Sequence, residues 1–137
     1  MAQLIPYLTF NGNCREAMTF YKECLGGELK IQTVGESPAA AQIPKEWHDH
    51  IMHAVLRKDD FVLMASEMPQ INPIIGNAIT LTIACKSAVE LETYFSKLSA
   101  NGKIGHPLAK QYFGTIGDFV DKFGFRWMCV LMNEDNI

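Results

Sequence analysis

Residues 47–53, WHDHIMH, gather more chemically versatile side chains than any other short stretch of this chain. His48, Asp49, His50 and His53 carry imidazole and carboxylate groups, which suit zinc, iron or nickel. If a strand begins within this stretch, His50 and His53 point to opposite faces, because side chains alternate along a strand. We therefore interpret the stretch as a solvated loop followed by one strand histidine. His53 is the candidate for proton transfer or for a structural hydrogen bond.

Two similar segments indicate the elements that must position such side chains. Residues 17–25 read AMTFYKECL and residues 91–98 read LETYFSKL. In both segments apolar residues recur at helical spacing, which predicts two amphipathic helices that each bury one stripe.

The starts and stops of these helices repeat as well. A capping-box spacing precedes each helix, and residues that tolerate a left-handed conformation follow it. The caps are Asn13 to Glu16 and Ser87 to Glu90, and the stops are Gly26-Gly27 and Asn101-Gly102. The repeat extends outward, since Leu8-Thr9-Phe10 matches Leu81-Thr82-Ile83.

Segments rich in β-branched and aromatic residues predict eight strands around the two helices. They cover residues 4–10, 28–34, 51–57, 60–66, 78–84, 103–107, 113–120 and 125–132. Each half therefore has the order β-α-β-β-β, and the fold class is α+β. We predict one domain over residues 1–137, with module 1 at about 1–70 and module 2 at about 76–137.

Composition excludes several classes of function. The net charge is −3 and the chain has no run of Lys and Arg, so nucleic acid and anionic membranes are not predicted partners. Neither a signal peptide nor a membrane-spanning segment is evident, which predicts a cytoplasmic protein. The four cysteines form no CxxC pair and are predicted to be buried free thiols.

Three stretches carry a resemblance that spans nearly the whole chain: PYLTFNGNCREAMTFYKECLGGEL, HIMHAVLRKDDFVLMASE and FGTIGDFVDKFGFRWM. In order and separation they resemble the vicinal-oxygen-chelate superfamily, which includes glyoxalase I, bleomycin-resistance proteins and extradiol dioxygenases. Within it the chain is most similar to PhnB-like proteins. The resemblance implies two βαβββ modules in a half-open, barrel-like mixed sheet around a central cavity, with helices outside. It also implies a homodimer.

The resemblance further implies positions for four metal ligands, usually His, Glu or Gln. Matching the strands puts them near Ile5, Met64, Ala78 and Met128. None of these side chains is a ligand for a hard or borderline divalent cation. We therefore predict no metal and no cofactor.

The strand faces that would carry those ligands form an apolar patch with a few hydroxyls and one cation, which suits a small organic molecule. The predicted ligand-binding residues are Tyr7, Thr9, Met64, Ser66, Thr80, Tyr112, Arg126 and Met128. The resemblance places an aromatic-glycine turn at residues 111–114, where Tyr112 or Phe113 is a candidate either for closing the pocket or for packing. Leu63, Phe125 and Trp127 are expected on the opposite faces, beneath the helices. Two long loops, GESPAAAQIPKEWHDH and SEMPQINPIIGN, are expected to serve as lids or dimer contacts.

The leading functional hypothesis is a metal-free PhnB-like protein that binds a small molecule in the cavity between its modules. One alternative is a metal-dependent lyase or transferase of the glyoxalase or dioxygenase type that uses His53 or the loop at His48. Another is a sequestering dimer similar to bleomycin-resistance proteins. PhnB-like proteins also carry a 3-demethylubiquinone methyltransferase label, but no glycine-rich strand-to-helix turn for such a cofactor is present in the sequence.

Overall fold

The computed structural model describes residues 1–68 and 70–133. The chain divides into two compact units, Met1–Ile74 and Ile75–Ile137. Within the described residues, no helix has both the length and the apolar character needed to cross a bilayer.

The first unit contains one helix and a four-stranded mixed sheet. Its elements are β1 (Tyr7–Phe10), α1 (Cys14–Leu25), β2 (Glu28–Thr33), β3 (Ile51–Lys58) and β4 (Phe61–Glu67). The strand order is β1-β4-β3-β2, with β1 parallel to β4 and the other pairs antiparallel. Three short 3-10 turns between β2 and β3 lie at Val34–Glu36, Ala40–Gln42 and Lys45–Trp47.

The second unit repeats this plan. Its elements are β5 (Leu81–Ala84), α2 (Ala88–Leu98), β6 (Lys103–Gln111), β7 (Gly114–Val120) and β8 (Arg126–Met132). The strand order is β5-β8-β7-β6, with β5 parallel to β8. The predicted α+β fold of two βαβββ modules is confirmed, and both sheets are open.

Each helix covers one face of its own sheet. The apolar stripe of α1 packs on β2, β3 and β4, above Leu56, Leu63 and Ala65. In the second unit α2 packs on β8, and the rings of Phe95 and Phe119 meet edge to face at 5.2 Å. Side chains alternate along each strand, so the neighbouring positions turn away from the helices.

Three strands differ from their predicted bounds. β1 begins at Tyr7, so Ile5 precedes it. The cause is Pro6, which lacks an N–H for the ladder, although its carbonyl accepts a hydrogen bond from the Met64 amide at 3.0 Å. β5 begins at Leu81, so the residues at 78 and 80 lie before the strand.

β6 is longer than predicted and runs to Gln111. Pro107 lies within the strand, although proline cannot donate to a ladder. The strand lies at the edge of its sheet, where an amide is not needed on the outer side, and its pairing with β7 shifts register around His106.

The predicted ends of both helices are confirmed, whereas the N-terminal caps of the two helices differ from each other. Gly26 and Asn101 adopt positive φ values of 80° and 61° after the two helices. The Ser87 side chain accepts a hydrogen bond from the Glu90 amide at 3.1 Å, and Glu90 in turn accepts one from the Lys86 amide. The Asn13 side chain makes no capping hydrogen bond with the described residues. The Cys14 amide points instead at Oε2 of Glu67, 3.4 Å away.

Candidate functional site

Tyr7 and His53 meet on the face of the first sheet that turns away from α1. The Tyr7 hydroxyl lies 3.3 Å from Nδ1 of His53, and the two rings stack with centroids 5.9 Å apart. They reach each other across β4, which lies between β1 and β3. The contact engages Nδ1 of the imidazole, and Nε2 is the other ring nitrogen.

Three more predicted residues of the first module share this face. Strand pairing places Tyr7 beside Met64 and Thr9 beside Ser66. Side chains of paired residues point to the same side of a sheet. Ser66 is 6% exposed, so the floor of this face carries a buried hydroxyl.

Arg126 lies on the corresponding face of the second sheet, together with Met128 and Thr82. Met128 pairs with both Thr82 and Asp118. The Nε atom of Arg126 is buried and has no hydrogen-bond partner among the described residues. Asp118 lies on the same face, and its carboxylate bonds to the backbone and ring nitrogens of His106 at 3.1 and 2.8 Å.

Two predicted ligand-binding residues are not joined to these faces by strand pairing. Thr80 lies just before β5. Tyr112 is 94% exposed at the turn between β6 and β7, where its ring packs edge to face on Phe113. The role of Tyr112 in closing a pocket stays a prediction.

Matching the two halves of the sequence sets Met64 opposite Met128. The strand pairing gives a different equivalence. Thr9 pairs with Ser66, and its counterpart Thr82 pairs with Met128. The equivalent of Met128 is therefore Ser66, and Met64 corresponds to Arg126. The reason is turn length, since β4 follows the two-residue turn at 59–60 and β8 follows the longer turn at 121–125. A shift of two residues leaves each side chain on its predicted face.

The three histidines near residue 50 have three different partners. Nε2 of His48 lies 2.9 Å from the carbonyls of both Ala40 and Ile43. Nδ1 of His50 lies 3.6 Å from the Glu67 carboxylate, whereas His53 meets Tyr7. Among the described residues, no three His, Cys, Asp or Glu side chains are grouped so that they could hold a metal ion.

A cavity that the sequence did not predict lies beside Glu67. It measures about 160 Å³ and is lined by Val34, Ile43, Trp47, His50, Glu67, Met68, Gln70 and Ile71. The signal that could have found it is strand parity. Glu67 shares its face of β4 with the buried Leu63 and Ala65, so its carboxylate had to end on the helix side of the sheet.

The four cysteines are free and buried, as predicted. Burial raises the pKa of the Cys14 thiol to about 12, that of Cys85 to about 11 and that of Cys129 to about 12. A thiol is nucleophilic only as the thiolate. These three cysteines are therefore structural at neutral pH.

Comparisons with known proteins place these features in a family. The model of the 3-demethylubiquinone-9 3-methyltransferase family matches residues 2–130. Protein YjdN of Escherichia coli strain K12 is 33% identical over 96% of both chains. The crystal structure of PA1353 from Pseudomonas aeruginosa is 36% identical with a TM-score of 0.85, covering 96% of this chain and 98% of that one.

Two further structures extend the likeness. A putative 3-demethylubiquinone-9 3-methyltransferase, the PhnB protein of Bacillus cereus, is 26% identical with a TM-score of 0.75, over 95% of this chain and 99% of that one. A glyoxylase/bleomycin resistance protein/dioxygenase domain from Frankia is 13% identical with a TM-score of 0.67, over 97% of both chains, which shows a shared fold. The chain belongs to the 3-demethylubiquinone-9 3-methyltransferase family and is similar to the PhnB protein of Bacillus cereus.

Proposed function

We propose that this protein binds a small organic anion, without a metal ion, through the sheet face that carries Arg126. The observation that carries the proposal is the buried Nε of Arg126, which has no partner among the described residues. A buried polar group without a partner costs about 1–3 kcal/mol. An oxygen of a carboxylate or phosphonate ligand would satisfy it, and guanidinium groups bind such oxyanions strongly.

The side chains around Arg126 support a ligand with an apolar body. Met128 supplies an adaptable thioether and Thr82 supplies a hydroxyl on the same face. Sites for small molecules combine mostly apolar walls with a few polar groups in this way. The identity of the anion is open.

The chemistry of these faces does not fit the metal of the wider superfamily. Two thioethers, Met64 and Met128, occupy predicted ligand positions, and hard divalent cations prefer oxygen and nitrogen donors. The register of the second sheet places a guanidinium where the first sheet has Met64. A positive charge at that position opposes a cation. We therefore propose that ligand binding needs no divalent metal.

The family's description implies methyl transfer, and the residues do not fit the usual cradle for its cofactor. A glycine-rich turn from strand to helix would hold the cofactor at the helix N-terminus. The turn into α1 is Asn11-Gly12-Asn13, and the first amide of the helix faces the carboxylate of Glu67. The turn into α2 contains no glycine and ends at the Ser87 cap. Neither helix start therefore suits the cofactor of a methyltransferase.

The Arg126→Met variant tests the proposal. Methionine has a similar volume and removes the buried Nε–H group, so the free energy of unfolding should stay constant or rise by about 1 kcal/mol. Organic carboxylates and phosphonates that raise the melting temperature of the wild type should no longer do so. A variant that unfolds more easily by several kcal/mol would show that Arg126 is a structural residue and would contradict the proposal.

A catalytic role is the second candidate, and it depends on the contact between Tyr7 and His53. The phenol orients the imidazole for general acid–base chemistry, which requires only that Nε2 reach a substrate proton. The bound anion would then be a substrate. Loss of turnover in His53→Gln with unchanged anion affinity would support this role, and retained turnover would contradict it.

The homodimer stays a prediction, and exposed isoleucines support it. Ile74 and Ile79 are 96% and 80% exposed, and contact with a second copy would remove this apolar surface from water. Sedimentation equilibrium would measure the mass directly. A monomer mass at all concentrations would contradict the dimer.

A further inference from the structure

We propose a second binding site in the cavity beside Glu67, with specificity for a small organic cation that carries one apolar ring and a protonated amine. The cavity lies in the first unit, on the helix side of β4, whereas Arg126 belongs to the second unit. The proposal is therefore independent of the anion site.

The size and the walls of the cavity fit a single ring. Its volume is about 160 Å³, and most of its walls are apolar, including Val34, Ile43 and Ile71. An engineered apolar cavity of about 150 Å³ is known to hold benzene. The side chain of Trp47 adds an aromatic surface, which can attract a cation.

The loop that builds these walls is held in place by its own hydrogen bonds. The Thr33 hydroxyl and the Glu36 carboxylate cap the first 3-10 turn reciprocally. His48 ties the loop together through the carbonyls of Ala40 and Ile43. The Val34 amide bonds to the His50 carbonyl at 2.9 Å. A cavity with fixed walls costs little conformational entropy when a ligand enters.

The charge at the cavity comes from Glu67, whose side chain is only 5% exposed. Oε1 accepts a hydrogen bond from the Ile51 amide at 2.8 Å, and Oε2 accepts a long one from the Cys14 amide at 3.4 Å. A carboxylate has about four acceptor positions. Glu67 thus retains acceptor capacity, because Nδ1 of His50 lies 3.6 Å from Oε1, beyond hydrogen-bond distance.

This arrangement selects for a cation over an anion or a neutral molecule. A protonated amine forms a charge-assisted hydrogen bond with a carboxylate, which is about twice as strong as a neutral one. An anionic head group would be repelled by Glu67. Because the carboxylate is shielded from water, both effects are stronger than they would be at the surface.

The experiment uses three probes of matched size: benzylamine, benzyl alcohol and benzoate. The chain has two tryptophans, Trp47 in the cavity wall and Trp127 in the core of the other unit. In 15N-labelled protein the indole signal of Trp47 reports on the cavity, and that of Trp127 is an internal control. We expect benzylamine to shift only the Trp47 signal, with an affinity about tenfold above that of benzyl alcohol. Benzoate should cause no shift.

Two variants locate the binding. Glu67→Gln keeps the size of the side chain and should reduce benzylamine affinity by about tenfold, while benzyl alcohol changes by less than about twofold. If this variant does not fold, Ile71→Phe tests where benzylamine binds, because the larger ring should fill the cavity. Ile71 is 52% exposed, so the fold should tolerate the change. Ile79→Phe, at an exposed isoleucine outside the cavity, is its matched control.

Three outcomes decide whether the cavity binds a cation. Loss of benzylamine binding in Ile71→Phe, with normal binding in Ile79→Phe, would support the site. Equal affinity for benzylamine, benzyl alcohol and benzoate would overturn the selectivity for a cation. A Trp47 signal that no probe moves, up to the solubility of each, would overturn the site itself.

Discussion

Two carboxylates with little exposure to solvent, Glu67 in the first unit and Asp121 in the second, are satisfied by hydrogen bonds to different degrees. Asp121, 3% exposed in the turn before β8, accepts hydrogen bonds from the Phe123 amide, the Phe125 amide and the Trp127 indole at 2.7–3.1 Å. Glu67, at the end of β4, accepts one short and one long bond from backbone amides. Its third neighbour, His50, stands 3.6 Å away beside a cavity.

The difference separates a scaffold group from a site. A buried carboxylate matched to fixed donors stabilises the fold and has little left for a ligand. One that retains acceptor capacity beside a preformed cavity can bind a ligand at small reorganisation cost. The same reasoning applies to Arg126, where the group without a partner in the described part of the chain is the Nε–H donor.

The largest expected effect is that of Asp121→Asn. The amide can accept fewer of the three hydrogen bonds, and its NH2 group faces donors, so the free energy of unfolding should fall by about 3 kcal/mol. Urea denaturation measures it. Asp118→Asn is the control, because its exposed partner His106 makes a surface pair worth at most about 1 kcal/mol. Equal losses in both variants would contradict the structural role of Asp121.

The helix starts offer a second, smaller contrast. Ser87→Ala should lower the free energy of unfolding by about 1 kcal/mol, because the Ser87 hydroxyl caps α2. Asn13→Ala should change it by less than about 0.5 kcal/mol, since Glu67 and not Asn13 faces the first amide of α1. Chemical denaturation of both variants checks this. A larger loss for Asn13→Ala than for Ser87→Ala would mean that Asn13 caps its helix after all.

The smallest expected effect concerns the thiol of Cys14, a residue whose amide faces the Glu67 carboxylate. A thiol at a helix N-terminus usually has a lowered pKa, but burial first, and then the Glu67 carboxylate, raises that of Cys14 to about 12. The native protein should therefore react with a thiol reagent at pH 8 far more slowly than the protein in denaturant. Because the folded-state pKa is raised above the unfolded value, this contribution to stability is complete below about pH 9 and is lost as pH rises towards 12. Rapid labelling of native Cys14 would contradict it.

Much of the fold could be predicted from the sequence, because it depends on local patterns. The two helical stripes and their glycine or asparagine stops fixed both helices within a few residues. All eight strands were found, and the repeat gave the order of elements in each module. The bounds of β1 and β6 were wrong because they depend on which side of a proline pairs with a neighbouring strand.

The candidate sites were harder to predict because they depend on contacts between distant residues. Alternation along the strands placed Met64, Ser66 and Met128 on the correct faces. It could not show that Tyr7 reaches His53 across β4 or that a carboxylate from the end of β4 replaces a local cap at α1. Nor could the sequence show that Nε of Arg126 has no acceptor among residues 1–68 and 70–133, since that requires the neighbours in space to be known.

The most direct test of the proposed function compares the wild type with Arg126→Met after dialysis against a chelator. Both proteins are heated with a panel of small organic carboxylates and phosphonates, and the melting temperatures are recorded. Binding to the native state alone raises the melting temperature with ligand concentration. We predict that at least one anion stabilises the metal-depleted wild type but not Arg126→Met. Equal responses of the two proteins, or a response that returns only when a divalent metal is added, would contradict the metal-free anion site.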